Sequence, residues 1–64
     1  MTKVNNLPNT YANYKYTVII WDEDREEYWF YGAYNSLDSA CAAMREDLAI
    51  RKIVESCTVE RGRC

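Results

Sequence analysis

The groups that could do chemistry in this chain are carboxylates, thiols and aromatic rings. Cys41, Cys57 and Cys64 carry the three thiols, and the run Asp22-Glu23-Asp24-Arg25-Glu26-Glu27 sets five carboxylates around one guanidinium. There is no histidine. That removes the commonest general base and transition-metal ligand, and with it any Cys–His or Ser–His nucleophile pair within the chain. A zinc site would have to join the three thiols to a carboxylate across spacings of 16 and 7 residues, far from the close-set ligand pairs of fingers and ribbons. The acidic run could in principle hold a hard cation, but it lacks the length, the glycine and the terminal ligand pattern of an EF-hand loop. Asp22 and Glu27 could serve as an acid–base pair only in a cleft that the pattern gives no sign of. The expectation is a protein that is not an enzyme and has no metal site and no cofactor.

Aromatic rings are the remaining resource: six Tyr, two Trp and one Phe in 64 residues, 14% of the chain. A domain this short buries only about 60% of the surface its unfolded chain exposes, so large rings help its core reach sufficiency. They cannot all fit inside. Composition is otherwise that of one globular domain, 48% hydrophobic and 28% charged, not of a disordered chain. The net charge of −2 runs against the basic footprint of nucleic-acid binding. An odd number of cysteines, no CxxC, and no apolar run resembling a signal peptide in "MTKVNNLPNTYANY" indicate free thiols in a reducing compartment. No stretch approaches the ~20 apolar residues of a membrane-spanning helix, so no membrane partner is expected.

The elements that must position these groups follow from periodicity. Residues 1–12, polar and Asn-rich with Pro8, read as a flexible N-terminal arm in which Val4 and Leu7 are loose anchors. Residues 13–21, "NYKYTVIIW", are a strand by β-branched and aromatic content, "DEDREE" a loop, and 27–34, "EYWFYGAY", the return strand. Ser36 is a good N-cap for a helix over 36–51 whose apolar stripe is Leu37, Cys41, Met44 and Leu48, at spacings of four, three and four. Residues 53–60, "IVESCTVE", read as a third strand with Ile53, Cys57 and Val59 pointing in; the competing reading continues the helix through Ile53 and Val54. Residues 61–64 are a tail. The domain, 13–60, is then α+β, ββαβ: a three-stranded antiparallel sheet in order 2-1-3 with one helix packed on one face.

Register decides which side chains that sheet leaves open, because a slip of one residue exchanges the faces. A five-residue loop, Asp22 to Glu26, pairs Ile20 with Tyr28 and Val18 with Phe30. It turns Tyr16, Val18, Ile20, Tyr28 and Phe30 toward the helix. Ile19, Trp21, Trp29 and Tyr31 are left on an uncovered face, rimmed by Asp22, Glu23, Asp24, Glu26 and Glu27. An open apolar patch of this kind marks an interaction site, and the tip, four net negative charges in six residues, would steer it toward a basic partner. Alternatively the N-terminal arm folds over Trp21 and Trp29 and completes a two-sided core. "EYWFYGAY" resembles the aromatic sheet strand of RNA-recognition modules, without their basic and glycine residues. The second function class is therefore a single-stranded nucleic-acid binder, against which the charge argues, and a third a small homodimer that hides the face against its mate.

The aromatic hairpin together with "YNSLDSACAAMREDL", a strand running into an S-L-x-x-A helix, resembles the small single-domain proteins of phages and mobile elements, including several anti-CRISPR families. The likeness is architectural and spans most of the chain. It implies a protein without an active site that blocks a host protein, such as a nucleic-acid-handling one with a basic surface, in the host cytoplasm. It assigns no residue.

Overall fold

The computed structural model describes residues 1–45 and 50–62. In chain order the elements are β1 (Thr2–Asn5), a 3-10 helix (Asn9–Asn13), β2 (Tyr16–Asp22), β3 (Glu27–Tyr34), α1 (Leu37–Arg45), β4 (Arg51–Glu55), a second 3-10 helix (Ser56–Thr58) and β5 (Val59–Arg61). Among the described residues the fold is α+β, with one α-helix and a single five-stranded sheet in the order β4-β2-β3-β1-β5. The central part of that order is the expected one: β2 lies between β3 and β4 and is antiparallel to both. The helix begins as expected too, with the Ser39 N–H donating to Ser36 Oγ at 3.2 Å. The predicted stretch 46–49, including Leu48, lies outside the described residues, as does Cys64. Arg51 opens a strand rather than closing the helix.

The sheet exceeds the predicted three antiparallel strands at both ends of the chain. Residues 2–5, read from sequence as part of an arm, form a strand parallel to both β3 and β5. Val4 is fully buried and Leu7 almost so. A four-residue strand has too little periodicity to show itself, and its conformation is fixed by its two neighbours. The predicted strand over 53–60 is in fact two strands separated by the 3-10 helix Ser56–Thr58. There the Thr58 hydroxyl donates to the Glu55 carbonyl at 2.7 Å, a local bond that competes with ladder pairing. Alternation is lost across it, so Val59 is buried while Cys57, expected to point in, is exposed.

That break sets the shape of the sheet. β4 and β5 are its two edges, four strand spacings or about 19 Å apart if the sheet were flat. Yet Glu55 and Val59 are joined by a stretch that reaches at most about 14 Å. The sheet therefore curls until its edges approach. Inside the curl lie Val4, Leu7, Ile19 and Val59, with Tyr11, Tyr28, Phe30 and Val54 packed on them. Leu7 and Tyr11 come from the segment read as an arm, which completes a second core on the side away from the helix. On the helix side, Ala40 is fully buried and Arg51 Nη1 donates to the Ala43 carbonyl. Leu37, expected in the apolar stripe, is 52% exposed.

The hairpin register also differs from the predicted one. Asp22 pairs with Glu27, Trp21 with Tyr28, Ile20 with Trp29 and Ile19 with Phe30; after a bulge, Val18 faces Gly32. The tip chemistry sets this. Asp22 Oδ1 accepts the backbone N–H of Asp24 at 3.0 Å and of Arg25 at 3.3 Å, which closes a side-chain turn on Asp22. Glu26, at φ 55°, then reverses the chain. The loop is thus residues 23–26, one shorter than the five-residue loop read from sequence. Thr17 is fully buried and Ser56 nearly so, and their hydroxyls pair at 2.8 Å, so the cost of burial is met by a hydrogen bond.

Candidate protein-interaction site

The observed register divides the open-face quartet read from sequence, Ile19, Trp21, Trp29 and Tyr31. Strand alternation keeps Ile19 and Trp21 together but adds Tyr28 and Phe30 to their face. Trp29 moves to the side of Val18, Ile20 and the helix. Ile19, expected on the open face, has no exposed surface and belongs to the interior cluster. Trp29 is half-buried, with its Nε1 out of contact with solvent and without a hydrogen-bond partner. The Arg25 guanidinium lies 5.9 Å from its ring centroid. Tyr31, the residue displaced by the bulge, is 40% exposed, and the Arg51 guanidinium stacks on its ring at 3.7 Å. The contiguous patch of Ile19, Trp21, Trp29 and Tyr31 is therefore not present on one face.

The tip and Trp21 do come together. Glu23, Asp24 and Glu26 are exposed, whereas Asp22 and Glu27 at the base of the turn are half-buried. Asp22 is spent on the turn itself. Glu27 Oε2 accepts from Asn5 Nδ2 at 2.5 Å, tying the hairpin to β1. Beside this bond a cleft of about 460 Å³ opens at the tip end of the sheet, with Trp21, Glu26, Glu27 and Tyr28 on one side. Lys3, Asn5, Arg61 and Gly62 form the other. The Trp21 and Tyr28 rings meet edge to face at 4.8 Å, which locks both in place. Arg61 Nη2 donates to Asn9 Oδ1.

Three of the nine residues expected to bind a partner thus line one cleft: Trp21, Glu26 and Glu27. Glu23 and Asp24 are exposed in the tip loop that precedes Glu26. The far wall was missed because β1 and β5 were missed. The available signal was the lone pair Val4 and Leu7 in a polar segment, and the alternation of Val59-Glu60-Arg61. Among the described residues no group of three or more Cys, Asp or Glu side chains is placed to hold a metal ion. Among the described residues no helix is long and apolar enough to cross a membrane. Comparison with protein-family models, with curated proteins and with solved structures found no match for this chain.

Proposed function

We propose that the protein is a non-enzymatic protein-binding module that docks its acidic hairpin tip and the adjoining Trp21 cleft onto a basic surface. In this reading it acts as a small phage-type inhibitor of a host nucleic-acid-handling protein. The observation that carries the reading is the concentration of exposed carboxylate at Glu23, Asp24 and Glu26 beside a half-open cleft walled by Trp21 and Tyr28. Interfaces draw most of their energy from a few aromatic anchors, and rim charges set association rate and salt dependence. A surface that binds DNA or RNA is basic, so a carboxylate tip complements it. The chain's lack of histidine supports a binding role rather than turnover.

The test is to titrate the Trp fluorescence of the intact protein with an octa-arginine peptide and with a single-stranded oligonucleotide, across salt. The peptide should bind, and reversing Glu23 and Asp24 to Lys should slow its association at low salt and matter less at high salt. Oligonucleotide binding that falls steeply with salt would replace this reading with the nucleic-acid one. Failure of both ligands to bind would remove the tip as a docking element.

A further inference from the structure

At the opposite end of β2 from the acidic tip, a groove of about 430 Å³ opens between the two 3-10 helices. It is walled by Tyr11, Tyr14 and Tyr16, with Lys15, Glu55 and Cys57 among them. The walls are fixed before any ligand arrives. The Tyr14 N–H donates to the Tyr11 carbonyl at 3.1 Å and the Tyr11 N–H to the Pro8 carbonyl at 3.2 Å. The Ser56 N–H donates to the Lys15 carbonyl at 2.9 Å, clasping the two sides. Tyr11 also packs against the interior cluster, whereas Tyr14 is 37% exposed.

We infer that this groove binds an extended, proline-rich segment of a partner protein, with an arginine flanking the prolines. Flat aromatic walls with hydroxyl tips match a polyproline II strand, whose rings pack on aromatic faces and whose backbone has no internal hydrogen bonds. Its carbonyls are free to accept from the tyrosine hydroxyls and the Lys15 ammonium. Such a segment is already extended, so it loses little entropy on docking. Glu55, exposed at the groove, supplies the charge that complements a flanking arginine. The mouth of a curled sheet, stiffened by two short helices, is a usual place for a preformed site of this volume. The inference goes beyond the acidic-tip reading, since it uses a separate surface and a different partner chemistry.

The experiment is an NMR titration of the isotope-labelled intact protein with decaproline and with proline peptides flanked by Arg or by Asp. Shifts are expected at Tyr11, Tyr14, Tyr16, Ser56 and Cys57, with the Arg-flanked peptide binding tightest. Tyr14→Ala should weaken all three by at least roughly tenfold, as loss of an aromatic anchor does, while the rest of the spectrum stays in place. Glu55→Gln, on an exposed side chain, should erase the preference for the Arg flank. Reversing Glu23 and Asp24 should leave decaproline binding unchanged, which separates this site from the tip. Absence of shifts at millimolar peptide, shifts confined to the hairpin tip, or affinity untouched by Tyr14→Ala would each overturn the inference.

Discussion

Replacing Ile19 by Ala tests the curled sheet at its centre. Ile19 has no exposed surface, stands opposite Phe30 on one side and Lys52 on the other, and packs with Val4, Leu7 and Val59. Ala removes three carbons, worth about 0.8 kcal/mol each in transfer. The cavity left behind adds to that, because a sheet clamped by β1 and β4 relaxes little. The expected loss is about 3–4 kcal/mol, within the range for large-to-small core changes. A chain of this length has only ~3–10 kcal/mol to lose, so the variant should forfeit from about a third to all of its stability. Urea denaturation followed by Trp fluorescence reads this as a fall in midpoint at unchanged slope. Trp21→Ala, at a half-buried position on the cleft, should cost the fold less and basic-peptide binding more. An Ile19→Ala protein that keeps the wild-type midpoint while losing its partner would place Ile19 on an open face and refute the packing described here.

Three further outcomes follow from the same geometry. Glu26→Gly should raise stability by about 0.5–1 kcal/mol, because relief of a left-handed backbone (φ 55°) outweighs the added freedom of glycine in the unfolded chain; calorimetry should show a higher Tm and the peptide titration weaker binding. Thr17→Val should cost about 1–3 kcal/mol by stranding the buried Ser56 hydroxyl, and adding Ser56→Ala should recover part of the loss in a denaturation double-mutant cycle. Deleting residues 1–5 should abolish cooperative melting by circular dichroism, because β1 is the strand that joins β3 to β5; a truncated chain that melts like the parent would show the strand to be an ornament.

Local structure is legible in the chain before any packing is known. The β-branched and aromatic run from Tyr16 to Trp21 is extended whatever surrounds it. Ser36 caps the helix through its own turn, and the acidic residues between the hairpin strands stand in solvent. Alternation along β2 also identified Val18 and Ile20 as one face. Features that depend on distant partners emerge only on packing. Nothing within Thr2–Asn5 specifies a strand; Val4 becomes core only because β3 and β5 flank it. The hairpin register turned on one side chain, Asp22, whose Oδ1 accepts from the N–H groups of Asp24 and Arg25. Hydrophobic alternation is present on both strands, so it is nearly indifferent to a one-residue slip, whereas those two bonds are not. The slip and the bulge after it sent Trp29 and Tyr31 to one side and Trp21 to the other. The cleft brings together Lys3, Glu26 and Arg61, 23 to 58 positions apart in the chain, in a sheet made to curl by the short connection between its edges, a three-residue 3-10 helix at its other end. Spacing along a sequence carries no record of such a closure, since its cause is the fixed width of a sheet set against the short reach of a single connection.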